Sequence, residues 1–143
     1  VMKIIELNNK IVTHLDKIKC IAPIIIRVII ARIFFFSGLT KISSWEQTLF
    51  LFEYEYAVPI LPVNVAAFLA TSIELSMPIL IILGLLTRFA ALSLLSMTLV
   101  IQLFVYNQFE HYYWIALLIT LIAYGGGKLS LDHLLTKKLG LKL

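Results

Sequence analysis

Four apolar runs, at about 21–40, 57–86, 89–105 and 112–125, leave this chain little sequence outside them. A helix needs about 20 residues to span the ~30 Å of bilayer hydrocarbon, so four crossings nearly exhaust the chain's length. The predicted fold is all-α, a polytopic membrane protein built as a four-transmembrane-helix bundle. Composition agrees, with 14% charged residues where soluble domains carry about 25%. No soluble catalytic module fits beside such a bundle.

The formal net charge of +4 is explained by position rather than by nucleic-acid binding. Lys3, Lys10, Lys17 and Lys19 precede the first run, Arg88 lies between the second and third, and Lys128, Lys137, Lys138 and Lys142 follow the fourth. The two remaining connections hold Lys41 against Glu46, Glu53, Glu55 and Glu110. The positive-inside bias therefore predicts cytoplasmic N and C termini. Cys20 is the single cysteine, which excludes an intramolecular dithiol relay. The first twenty residues are too polar for a signal peptide.

Three segments are expected. Residues 1–20 place Ile4, Leu7, Ile11, Leu15 and Ile18 at helical spacing with lysines mainly opposite, as in an interfacial helix on the cytoplasmic side. Residues 21–127 hold the four crossings, with Pro59 and Pro62 closing the first outer connection and Gly125, Gly126 and Gly127 stopping the last helix. Residues 128–143 form a basic C-terminal interfacial helix that Ser130 or Asp132 can cap. "GGGKLS" lacks the leading glycine and the preceding strand of a phosphate loop.

The run "IIIRVIIARIFFFSGLTK" carries Arg27 and Arg32, and an intramembrane arginine costs about 2.5–3.5 kcal/mol on insertion scales. At 100° per residue, Arg27, Ala31, Phe34, Gly38 and Lys41 share one stripe, while Arg32 faces elsewhere. In the second run Ala67, Ala70, Thr71, Glu74, Pro78 and Ile81 share a stripe, and its small residues turn Glu74 toward a neighbouring helix. Pro78 lacks the N–H that would bond the Glu74 carbonyl, so one residue offers a carboxylate and a freed backbone oxygen. The expected partner of Glu74 is an arginine of the first crossing. Depth favours Arg32, and the shared stripe favours Arg27.

Trp45, Tyr54, Tyr56, Tyr106, Tyr112, Tyr113 and Trp114 cluster toward the outer side, while Tyr124 alone leans inward. Interfacial anchoring and an aromatic-lined mouth opening outward are both compatible with this asymmetry. His111 beside Glu110 can accept or relay protons near neutral pH. Met77, Met97 and His111 are too scattered for a metal site, and Ser93, Ser96 and Asn107 read as interhelical glue.

These residues together resemble the DoxX family of small four-helix membrane proteins over about residues 22–135. The likeness rests on Arg27, Gly38 and Lys41 in "RVIIARIFFFSGLTKI", on Glu74, Gly84 and Arg88 in "IELSMPILIILGLLTR", and on Gly125, Gly127, Ser130 and Asp132 in "GGGKLSLDHLL". Gly126, where many relatives carry proline, and Arg32 depart from the pattern. The resemblance implies an inner-membrane bundle. It also implies an association with thiosulfate–quinone oxidoreduction, oxidative-stress complexes or operons making copper-binding peptides.

Three functions are therefore open. In the first, the chain is a subunit of a membrane redox system that binds a quinone-like lipid as its cofactor in an outward-opening pocket. Trp45, Tyr112, Tyr113 and Trp114 would flank the ring, with Glu74, Arg27, Arg32, Lys41 or His111 as the catalytic candidates. No haem, flavin or iron–sulfur ligand set is visible, so electrons would come from a protein partner. The second function is transport or ion handling centred on Glu74. The third is an assembly or scaffold factor for a soluble partner, with a homo-oligomer a further possibility. Membrane lipid is an expected contact in every case.

Overall fold

The computed structural model describes residues 2–56, 61–105 and 107–140. Pro59, Tyr106 and Lys142 lie outside the described residues, as do the side chains of Ile4, Lys17 and Ile18. All regular structure among the described residues is helical: α1 (Met2–Ser43), α2 (Trp45–Leu51) with a following π-helical turn (Phe52–Tyr56), α3 (Val63–Leu83), α4 (Thr87–Phe104), α5 (Phe109–Tyr124) and α6 (Leu131–Leu139).

Three of these helices are long and apolar enough to cross a membrane: Lys19–Ser43 within α1, then α3 and α4. The expected fourth crossing is α5, whose 16 residues rise only about 24 Å at 1.5 Å per residue. The helices pack in a cycle, α1 on α3 and α5, α3 on α4, and α4 on α5. Ile30, Phe34, Ile81, Leu94, Leu118 and Leu121 fill the centre. Ile25, Phe36, Phe68, Ile79 and Phe89 are exposed on the outside, an apolar surface suited to lipid.

Helix α1 runs unbroken from Met2 to Ser43 with Pro23 inside it, so the expected interfacial segment and the first crossing share one helix. Leu7, Ile11 and Leu15 are exposed along the first part of that helix, on the expected apolar stripe. The connection after α1 is helical from Trp45 to Tyr56. Thr48 of α2 is buried and donates to the Lys41 carbonyl (3.0 Å), folding the connection back over the end of α1.

Helix pairing follows the two sequence stripes. Arg27, Ala31, Phe34 and Gly38 of α1 are buried, as are Ala67, Thr71, Glu74, Pro78 and Ile81 of α3. Gly38 makes the close approach possible, since a Cβ there would lie 2.9 Å from the Leu75 side chain and 3.1 Å from the Glu74 Cβ. The α3–α4 turn is tight. Gly84 (φ +66°) and Leu86 (φ +48°) both adopt left-handed conformations within it.

Candidate functional site

Two polar clusters lie at opposite ends of the α1–α3 pair. In the inner cluster the Arg27 guanidinium donates to four backbone carbonyls. Nε bonds Ile81 O (2.7 Å), Nη1 bonds Gly126 O (3.1 Å) and Leu129 O (2.9 Å), and Nη2 bonds Ile82 O. The last carbonyls of a helix have no partner within it, and a cation suits that end of the macrodipole. Arg27 thereby ties the end of α3 to the segment joining α5 and α6. This is why the membrane tolerates it.

Asp132 completes the inner cluster. Its carboxylate accepts the N–H groups of Leu86 (2.7 Å) and Thr87 (2.9 Å), and its own N–H donates to Gly84 O (2.8 Å). It caps the start of α4 and holds the strained turn, favoured by the positive end of the helix dipole. Ser130 caps α6, accepting from His133 N (3.2 Å). Both residues foreseen as caps do cap, but on different helices.

The outer cluster corrects the expected Arg–Glu pair. Glu74 is paired with Lys41, whose Nζ donates to Oε2 (2.7 Å), Oε1 (2.9 Å) and Ser37 Oγ (2.9 Å); Ser37 Oγ also donates to Oε1 (3.2 Å). Lys41 sits in the last turn of α1, and the Gly38 approach brings Glu74 to its level. Arg27 is occupied by carbonyls of the α3 end and of the α5–α6 segment. Arg32 is exposed, with its guanidinium 6.0 Å from the Phe36 ring centroid on the outer face of α1. Depth and stripe each singled out an arginine, whereas register selected the lysine.

Lys41 and Glu74 form part of the wall of a cavity of about 420 Å³, between the second half of α1, the first halves of α3 and α5, and the second half of α4. Opposite the pair, His111 is buried and its Nδ1 lies 2.6 Å from Gln102 Oε1. The Gln102 amide nitrogen donates to Asn107 Oδ1, and its oxygen accepts Gln108 N–H (3.2 Å). Trp114 stacks obliquely on His111 (centroids 4.9 Å) and meets Phe34 edge-on (5.7 Å). Phe52 and Tyr56, in edge contact at 4.8 Å, close another side.

Of the expected aromatic residues, Trp114 lines this cavity. Trp45, Tyr112 and Tyr113 do not; they are exposed on the surfaces of α2 and α5. A residue one or two positions from Trp114 points to a different side of a helix, so their adjacency in sequence separates them in space. Ser93 and Ser96 are not interhelical glue, because their hydroxyls donate within α4 to Phe89 O (3.0 Å) and Leu92 O (2.9 Å). Gln102 was missed by the sequence reading. Its signal was present, since Thr87, Ala91, Leu94, Thr98 and Gln102 recur at helical spacing and are all buried.

The comparisons with known proteins bear on this architecture. Residues 22–107 match the DoxX family. The chain belongs to the DoxX family. That match contains Arg27, Lys41, Glu74 and Gln102, whereas the Asp132 cap lies beyond it. A protein of Haemophilus influenzae, named only as uncharacterized, is 34% identical over 131 residues, covering 82% of this chain and 85% of the relative. No solved structure matches the chain.

Proposed function

We propose that this DoxX protein is the membrane subunit of a redox system and that its cavity holds the headgroup of a quinone-like lipid. The observation that carries this reading is the Lys41–Glu74 pair, set in the wall of an otherwise largely apolar and aromatic cavity that His111 also lines. At about 420 Å³ the cavity falls within the ~300–1,000 Å³ of small-molecule sites, which pair apolar walls with a few placed polar groups.

The donor set fits such a headgroup. Lys41 Nζ carries N–H donors for one ring carbonyl, and the buried His111 ring lines another part of the cavity. A quinone bound here would supply two-electron, two-proton acceptor chemistry. Glu74 orients the Lys41 ammonium, and Gln102 fixes the His111 ring. Trp114 and Phe34 present ring faces and edges to a flat ligand. Electrons come from a separate redox protein, the partner this reading requires. Ion handling at Glu74 is less well supported, because Lys41 and Ser37 already satisfy its carboxylate.

The reading includes a topology. With α5 as a fourth, short crossing, both termini lie on the cytoplasmic side of a bacterial inner membrane, and the cavity lies in the outer half of the bundle. Reporter fusions after Lys138 should then signal cytoplasm, and fusions near Glu53 and Gln108 should signal outside. A periplasmic signal after Lys138 would leave α5 uncrossed and refute this topology.

The ligand test is native mass spectrometry of gently solubilised protein loaded with a long-chain quinone. Wild type should retain the quinone. Lys41→Met and Trp114→Leu should lose several-fold occupancy, since ring contacts are worth about 0.5–1.5 kcal/mol each beyond buried area. Equal retention by all three proteins, or none by wild type, rules out the headgroup site.

A further inference from the structure

We infer that the cavity opens sideways into the lipid between α3 and α4, and that its ligand is a membrane-dissolved amphiphile that enters head first. The inference rests on reading the cavity as a ligand site and adds the route and the class of molecule.

The two helices are held together at one end. The three-residue turn Gly84–Leu86 and the Asp132 carboxylate fasten the end of α3 to the start of α4. Their far ends are tied to different neighbours, α3 through the outer connection to α1, and α4 through a short link to α5. The cavity lies in the far half, lined by Leu69, Ala70 and Ile73 of α3 and by Met97, Val100 and Ile101 of α4.

The rim identifies the opening. Leu69 of α3 (44% exposed) and Val100 of α4 (39% exposed) line the cavity and also lie on the molecular surface. Ser96 of α4 does the same. A side chain that belongs to both surfaces borders an opening; Leu61 (43% exposed) and the exposed Gln108 do so at the end of the bundle, and the side-facing part is bordered by Leu69, Ser96 and Val100. These positions lie inside the candidate spans, with Leu69 about 9 Å along α3 from Val63, so the mouth faces hydrocarbon rather than water.

Chemistry along the route agrees. The rim offers leucine and valine, and the Ser93 and Ser96 hydroxyls are turned into their own helix. Charged and strongly polar side chains line the interior at Lys41, Glu74 and His111, with Gln102 behind the His111 ring. A molecule with a small polar head and an apolar tail matches this gradient, its tail remaining in the bilayer. A fully water-soluble solute would have to pass an apolar threshold without compensation.

Trp114 reports on the interior. With Trp45→Phe it becomes the sole tryptophan, and vesicles of phosphatidylcholine brominated at mid-chain quench indoles that acyl chains can reach. The Trp45→Phe protein should lose much of its emission in brominated vesicles, and adding Ser93→Phe with Ser96→Phe should restore most of it. Val100→Phe plugs the same rim from another position and should also restore emission, guarding against a misfolded double variant. Iodide in the outer solution should quench weakly throughout. Absence of bromolipid quenching, or quenching that no plug reduces, overturns the lateral mouth, as does strong iodide quenching in place of bromolipid. Quinone retention by wild type in any of those cases leaves the headgroup site standing with a different route. Portal-dependent quenching without quinone retention keeps the mouth and rejects the quinone.

Discussion

The Lys41–Glu74 pair makes a quantitative prediction. The Lys41 side chain is 16% exposed and that of Glu74 4%, so water screens the interaction poorly. Surface pairs contribute about 0–1 kcal/mol, whereas removing one member of a buried pair costs about 3–5 kcal/mol because the survivor keeps its desolvation penalty. Lys41→Met strands a carboxylate that retains only Ser37 as a donor, and Glu74→Gln leaves an ammonium facing an amide oxygen and the Ser37 hydroxyl. Each single change should therefore cost about 3–5 kcal/mol. The double variant should cost no more than the larger single change, since no unpaired charge remains. Independent sites would instead sum to about 6–10 kcal/mol. The assay is reversible unfolding in mixed micelles, followed by tryptophan emission. Glu74→Gln combined with Arg27→Met or with Arg32→Met provides the control, and both combinations should be additive within about 0.5 kcal/mol. Additivity of the Lys41 and Glu74 changes, or coupling of Glu74 to either arginine, would refute the pairing.

The two arginines should behave oppositely. Arg27→Met removes the donor to two carbonyls at the end of α3 and two in the α5–α6 segment, each group left unsatisfied costing about 1–3 kcal/mol before relaxation, and should be strongly destabilising in the same unfolding assay. Arg32→Met removes an exposed charge from the apolar face of α1 and should leave stability unchanged or raised. Asp132→Ala removes the cap from α4 and should cost about 1–2 kcal/mol. Hydrogen exchange at Leu86 and Thr87 should accelerate in that variant, while unchanged protection there would show that the cap is dispensable.

Much of this protein was legible along the chain. The apolar runs located α1, α3 and α4, and helical spacing identified the stripe containing Arg27, Gly38 and Lys41 and the one containing Thr71, Glu74 and Pro78 as packed faces. Of the two alternatives for the cap of α6, Ser130 was recognisable because a short polar side chain beside a helix start accepts a backbone N–H. Each of these features follows from local geometry, with 3.6 residues per turn and the orphan groups at helix ends.

Which polar groups meet was decided only in three dimensions. Sequence periodicity tells which side of a helix a residue occupies but not its height against a neighbour. That height came from the close approach at Gly38, from Thr48 closing the end of α1 and from the tight Gly84–Leu86 turn. Sliding α1 by one turn, about 5.4 Å, would carry Lys41 away from Glu74 and Arg27 away from the end of α3. Trp114 belongs to the cavity and Tyr113 does not, because one residue turns a side chain by 100°, and α5 buries the side that also carries His111 and Leu118. Asp132 could be read as a cap, but its choice of α4 depended on the return of the α5–α6 segment beneath Arg27. The chain encoded its faces locally, and their axial register arose from contacts between residues far apart in sequence.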